Sequence, residues 1–221
     1  MSTTPTGRRT ATTACLALLL AVLAVFSSVP SSSAAAVVVR GCTGYSGAKA
    51  LGTTYTDSFV KVYTCGLRPS YDGAKKGTGP VVLPFAGSTT YYRGYQCIEL
   101  VARYLQARFG AMPGQANGAQ AVDRYAAAYP KLFLKIANGT KRQAPLKGDV
   151  LSLSTKSTFS DIGHTGIVKA STVNASGNGT VQVAEQNFGG ATGAKGYHNY
   201  TVKAWRVQFP AMPYVKWLRA R

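Results

Sequence analysis

The sequence predicts an α+β fold, with helices packed on one side of an antiparallel sheet. Three observations predict it. An apolar-periodic helix opens near Cys97, a second helical stretch runs from Asn117 to Tyr129, and the chain after Pro145 reads as short strands joined by turns. Helices first and hairpin-linked strands afterwards is the order of a segregated domain, because each kind of element must bury one face against the other.

The first 36 residues stand apart from that domain. Arg8 and Arg9 precede an uncharged run from Ala14 to Phe26, which a Pro/Ser stretch and Ala34-Ala35-Ala36 follow. A positive start, an apolar run and a small-residue cleavage site together predict a secretory signal peptide. Thr10-Ala11-Thr12 lacks the hydrophobic residues of a twin-arginine signal, so general secretion is expected. The apolar run falls short of the roughly 20 residues that cross a membrane, and no transmembrane segment is expected. The domain reading is a signal peptide at 1–36, a Gly/Thr/Tyr-rich arm at 37–84, the main domain at 85–209 and a basic C-terminal tail at 210–221.

The chain carries 25 Lys+Arg against 7 Asp+Glu, a formal net charge of +18, and the leader removes only Arg8 and Arg9. So cationic a surface implies anionic partners. Export disfavours nucleic acid and leaves acidic lipid or the polyanions of a bacterial envelope. The basic residues are spread along the chain, which reads as a generally cationic surface held near an anionic wall without a discrete site. Cys15 leaves with the leader, and Cys42, Cys65 and Cys97 remain. An odd number in an oxidising compartment leaves one thiol over. Cys42 and Cys65 bracket a short segment and make the natural pair, worth on the order of 3 kcal/mol in the chain-entropy account. Cys97 is then the free thiol. The pairing stays open at this level, since Cys97 bonded to Cys42 or Cys65 also fits.

In chain order, the arm shows weak periodicity and reads as irregular and disulfide-clipped. Tyr71-Asp72-Gly73 marks a turn, and Val81-Val82-Leu83 a short strand. Ile98, Val101, Leu105 and Phe109 then recur at helical spacing, and Gly110 and Pro113 close the helix. Cys97 lies in its first turn, where unpaired N–H groups point outward and the helix dipole is positive. A thiolate is favoured there, and the same donors can bind an oxyanion. A buried or disulfide-bonded cysteine that happens to open a helix fits this stretch equally well. Asn117 caps the second helix and Pro130 forbids its continuation, with Val122, Tyr125, Ala126 and Tyr129 facing the core. Strands are expected at Val150–Leu153, Gly163–Val168, Thr180–Glu185 and Tyr200–Phe209. A switch of apolar parity between Ala204 and Trp205 predicts a bulge or break. A glycine-rich loop spans 189–196.

Chemistry-bearing residues are few. The chain has two histidines: His164 at a strand start, beside glycines that leave room for a substrate, and His198 in the Gly/Tyr loop, expected to face solvent. Of the acids, Asp149 lies in the turn before the first strand of the second half, and Glu185 ends the third. If that strand pairs beside the His164 strand, Glu185 or Asn187 can accept a hydrogen bond from the imidazole, fixing its tautomer and stabilising its charged form.

Together these pieces resemble the CHAP domain family, the cysteine- and histidine-dependent amidohydrolases/peptidases with a papain-like α+β core. The likeness covers roughly 85–209. It rests on Gly94-Tyr95-Gln96-Cys97-Ile98-Glu99-Leu100-Val101, on Pro145 with Gly148-Asp149-Val150, on Gly163-His164-Thr165-Gly166-Ile167-Val168 and on Glu185-Gln186-Asn187-Phe188-Gly189-Gly190. The resemblance implies that Cys97 is the nucleophile, His164 the base and Glu185 the orienting acid, with Asn187 assisting near His164. It implies a peptidoglycan substrate cut at an amide bond, between N-acetylmuramate and L-Ala or within the stem and cross-bridge peptides. On this reading the backbone of Cys97, with Gln96, holds the oxyanion, and Tyr91, Tyr92 and Tyr95 line the groove. Glu99 complements the helix N-terminus. The expected partners are peptidoglycan and anionic wall polymers, for a monomer associated with the cell wall.

Two departures from the family pattern matter. Some members bind calcium through an acid-rich loop before the cysteine, and here that region offers only Asp57 and Asp72, too few for six to eight oxygens. No metal and no cofactor are expected. No separate wall-binding module is evident either, so the cationic surface or the arm would have to substitute. Two other readings compete. A cationic CHAP-like module that binds wall or surface polymers without hydrolysing them would keep fold and charge, and a disulfide-bonded Cys97 would favour it. The basic, aromatic end Tyr214–Arg221 suggests an effector acting on acidic membranes, against a chain end packed on the domain.

Overall fold

The computed structural model describes residues 37–42, 49–66, 81–85, 87–112, 114–188 and 196–221. The expected leader, the turn at 71–73 and most of the glycine-rich loop lie outside the described residues.

The arm is more regular than its composition suggests. Strands β1 (Val38–Arg40), β2 (Lys49–Thr56) and β3 (Val60–Gly66) form a sheet in the order β1-β3-β2, with β1 parallel and β2 antiparallel to β3. Val60 and Val62 turn inward while Lys61 and Tyr63 stay half-exposed, the alternation of a strand with one buried face. Gly52, at a positive φ of 82°, and the register shift between Ala50 and Thr54 interrupt the pattern that would have shown β2 in the sequence. Cys42 is disulfide-bonded to Cys65, which leaves Cys97 as a buried free thiol among the described residues. Strands β4 (Val81–Val82) and β5 (Tyr92–Arg93) make a short antiparallel pair leading to the first helix.

Helix α1 (Cys97–Phe109) ends at Gly110, whose left-handed φ of 69° closes the last turn with N–H bonds to the carbonyls of Gln106 and Leu105. Asn117 and Gln120 form a capping box around a 3-10 turn at Gly118–Gln120, which continues into α2 (Ala121–Ala128). The remaining strands are β6 (Phe133–Ala137), β7 (Val150–Ser154), β8 (His164–Ser171), β9 (Gly179–Ala184), β10 (Tyr197–Lys203), β11 (Arg206–Gln208) and β12 (Tyr214–Ala220). They form one sheet in the order β11-β10-β9-β8-β7-β12-β6, antiparallel at every step. The parity switch at Ala204 and Trp205 is a two-residue hairpin, both residues at positive φ as the tight turn between β10 and β11 demands.

Both faces of this sheet are buried, and neighbouring residues divide between them. Val150, Ile167, Ala184 and Leu218 join Leu100, Val101, Tyr104 and Leu105 of α1, Val122 and Tyr125 of α2, and Val60 and Val62 of β3 in one cluster. Leu151, Val168, Val183 and Trp217, one residue along each strand, join a second cluster made of sheet residues and the loops beside them. Among the described residues no helix contributes to that second cluster, and the sheet curls to enclose it. Its two edges meet: the Asn138 amide, in the turn after β6, donates to Val207 O at 3.1 Å and accepts from Val207 N at 2.8 Å, and Gly139 N donates to Trp205 O at 3.1 Å. Replacing Asn138 by Ala strands both main-chain groups of Val207 and is expected to cost about 1–3 kcal/mol. Urea unfolding would show this as a lower midpoint at unchanged slope. An unchanged midpoint would mean the clasp contributes nothing.

The expected C-terminal tail is an interior strand. β12 lies between β7 and β6, with Trp217 fully buried. Its basic residues hid it, because their partners are remote in sequence. Lys216 reaches Asp123, and Arg219 forms a fork on Asp149, with Nη2 2.6 Å from Oδ2. Asp149 also accepts from Leu146 N at 2.8 Å, so it anchors the turn and the last strand and is not brought to the site below.

Candidate active site

Cys97 opens α1 after an extended Gln96 and a turn at Gly94, whose φ is 67°. Ile98, Leu100 and Val101 bury the helix's apolar face and fix its first turn in place. His164 opens β8, and Leu153 pairs with it across to β7. The 3-10 turn at Gly118 packs over both residues. A Cβ on Gly118 would lie 2.8 Å from the His164 main chain and 3.1 Å from Cys97 Sγ, so the lack of a side chain there lets turn, thiol and histidine share the space. Ser152 Oγ on β7 anchors the turn, donating to Gly118 O at 2.8 Å and accepting from Val122 N at 3.2 Å. Cys97 Sγ and the His164 main chain thus border the same small space, and the cysteine favours the charged form of the His164 imidazole.

Behind the imidazole stands Glu185, just past β9. His164 Nε2 faces Glu185 Oε2 at 3.4 Å, too poorly aligned for a hydrogen bond but close enough for a charge pair. The same Oε2 lies 2.8 Å from His198 Nδ1, and Oε1 accepts from the Tyr200 hydroxyl at 2.6 Å. Both His164 and Glu185 are almost wholly buried. Burial alone would push the imidazole down, but attraction to Glu185 and Cys97 outweighs it and raises the pKa from 6.5 to about 10. Burial alone would raise the Glu185 carboxyl. Attraction to His164 and the bonds from His198 and Tyr200 outweigh that too, and hold it below 4.5. The arrangement is a cysteine, an imidazole whose charged form is favoured and a carboxylate in sequence, so the proton shared by cysteine and imidazole is drawn to the imidazole.

The CHAP domain profile matches residues 86–187. Those residues belong to the CHAP domain family. The span holds Cys97, His164, Glu185 and Asn187, while His198 and Tyr200 lie beyond it. Among curated proteins none matches the sequence. A crystal structure of an N-acetylmuramoyl-L-alanine amidase from Staphylococcus aureus aligns at 19% identity with a TM-score of 0.35, over 70% of this chain and 38% of that one. The chain thus spans well under half of that protein's length.

Within the CHAP domain the other expected site residues fall less simply. Asn187, at a left-handed φ of 54°, donates its amide to Gln96 Oε1 instead of lying on the His164 ring. Tyr92 and Tyr95 are 8% and 0% exposed and pack inward, Tyr92 against Ile98 and Ala102, Tyr95 against Cys65 and Val82. They do not line an open groove, because burying a whole aromatic ring outweighs leaving it wet; Tyr91 is the exposed one of the three. The glycines beside His164 make room for protein, not substrate. A Cβ on Gly163 would strike Leu153 O at 2.2 Å, and one on Gly166 would come within 2.8 Å of the Glu185 side chain.

Glu99 goes inward as well. It pairs with Arg103 at 2.5 Å, one helical turn on, with both side chains about 1% exposed. Gln186, also buried, donates to Gln96 O and Glu99 Oε2 and accepts from Cys65 N and Arg103 Nη2. Arg103 further donates to the carbonyls of Arg40, Gly41 and Tyr63. This network ties the disulfide-clipped arm, the start of α1 and the end of β9 together, and so sets the spacing of Cys97 from Glu185. Gly118, Gln186, His198 and Tyr200 are the site residues that the sequence reading missed. For His198 and Tyr200 a signal existed: two polar rings at i and i+2 on one strand share a face.

Proposed function

We propose that this chain is a secreted cysteine amidohydrolase or peptidase of papain-like fold that cleaves amide bonds of bacterial peptidoglycan. One observation carries the reading: a free cysteine at a helix start stands beside a buried imidazole, whose charged form is favoured by the buried carboxylate behind it. In the proposed reaction Cys97 attacks the amide carbonyl as the thiolate, with His164 holding its proton. The Cys97 N–H, without a helical partner in the first turn, takes part of the oxyanion's charge. Gln96 has its carboxamide oxygen engaged by Asn187, so its N–H₂ end is the one to offer the oxyanion. Imidazolium then gives its proton to the leaving amine, and water releases the thioester as a carboxylic acid and restores the thiol. Glu185 keeps the imidazole oriented throughout and stabilises its charged form whenever it holds the proton. The signal peptide at 1–36, the cationic surface and the Cys42–Cys65 disulfide fit export to the wall.

The test uses residues 37–221 and the Cys97→Ala variant on purified peptidoglycan, with new amino groups followed separately from new reducing ends. Amines rising with the native protein alone are expected, and the released fragments name the bond. No amines from either protein, with both sedimenting with the wall, would replace the enzyme by a binding module.

A further inference from the structure

We propose that His198 is a positioning residue for the Cys97–His164–Glu185 group, holding the Glu185 carboxylate turned toward His164. The proposal rests on the catalytic reading above. Glu185 extends from the end of β9, where no strand register fixes its side chain. What fixes it comes from β10. His198 and Tyr200, on one face of that strand, each take one carboxylate oxygen, at 2.8 and 2.6 Å. His198 takes Oε2, the oxygen that faces His164 Nε2 at 3.4 Å. With a proton on Nδ1, His198 donates to that oxygen and holds it toward His164. Phe188 fixes the rings from between them, stacked on His164 at 4.1 Å and edge-on to His198 at 4.6 Å. The titratable groups around the carboxylate, among the described residues, are His164 on β8 and His198 and Tyr200 on β10, with Cys97 of α1 acting on His164 from its other side.

The exposures separate the roles. The Glu185 side chain is 1% exposed and His198 is 44% exposed, so His198 is the solvent-side member of the cluster. Without it the carboxylate loses a charge-assisted bond, gains freedom to turn toward Tyr200 and admits water. Each change weakens the attraction that keeps His164 charged. Asn in place of His198 keeps an N–H donor near the Nδ1 position, whereas Ala keeps none.

The chain's two histidines give two ring signals in a histidine-labelled sample, so His164 can be titrated by NMR beside kcat, KM and the melting temperature. His198→Ala is expected to lower the His164 titration by about one unit and kcat about tenfold, with KM within about twofold. His198→Asn is expected to restore both. Should the alanine variant not fold, His198→Gln, whose longer amide overshoots the Nδ1 position, takes its place and is expected to behave like Ala. A His164 titration and kcat unmoved by loss of His198, or an Asn variant no better than Ala, would overturn the proposal. A fall in melting temperature with neither of these moved would show a structural role only. If the native protein releases no amine, the catalytic reading fails and the NMR titration still decides whether His198 positions Glu185.

Discussion

Glu185→Gln is expected to lower kcat by a factor on the order of 10²–10⁴, the range between losing one positioned acid–base group and losing a triad's orienting acid. The amide keeps the shape and can still bond Tyr200 and His198, but it brings no charge to His164. Burial then acts on the imidazole with only Cys97 opposing it, and the His164 pKa falls from about 10 toward or below 6.5. The alkaline limb of the rate profile should move down with it. The same substitution should flatten the pH dependence of stability. His164 is raised in the folded state, so its contribution is complete below 6.5 and is lost as the pH rises through about 10. Glu185 is lowered, so its contribution is complete above 4.5 and is lost as the pH falls through its folded value. The pair therefore favours greatest stability between about pH 4.5 and 6.5, and melting temperatures of the Gln variant should lose both slopes. Equal slopes in the two proteins would mean that the carboxylate and imidazole do not interact.

The largest loss of stability is expected from Glu99→Ala. The substitution leaves the Arg103 guanidinium buried without its carboxylate and removes an acceptor from Gln186. Breaking a buried pair from one side costs about 3–5 kcal/mol, a large share of a domain's stability of about 5–15 kcal/mol. Replacing both members by apolar residues, Glu99→Leu with Arg103→Met, should cost less than Glu99→Ala alone, because no charge is then stranded. Urea unfolding of Glu99→Leu, Arg103→Met and the double variant, beside Glu99→Ala, measures this coupling directly. If the double variant is the less stable, the network contributes more than the charge pair, through Arg103's bonds to the arm.

Local periodicity carried much of the fold. The stripe from Ile98 to Phe109, Gly110 at the helix end and the strands around Val150, Ile167 and Val181 were legible because each follows from one face of one element. Sheet neighbours could not be read the same way. β12 was hidden because Lys216 and Arg219 look like a solvated tail until Asp123, on α2, and Asp149, in the turn before β7, are brought across to them. β6 was hidden because its inward residues, Phe133 and Ile136, do not alternate. At the site, Cys97, His164 and Glu185 stand at element starts and ends, where residue type and position suffice to single them out. Gly118, Gln186 and His198 act through packing and register, which no single stretch of sequence encodes. The glycines at 163 and 166 show the same limit: their need was visible, but not what they make room for.

In the proposed reaction Cys97 forms a covalent bond to the substrate's acyl group, and His164 supplies the proton to the amine. Acid quenching of the protein with purified peptidoglycan fragments, followed by mass analysis of the peptide that contains Cys97, tests it most directly. An acyl adduct on Cys97 that hydroxylamine removes, and that accumulates when turnover is fastest, is the predicted result. Fragments cleaved while Cys97 stays an unmodified thiol, with the Cys97→Ala variant cleaving equally well, would contradict it.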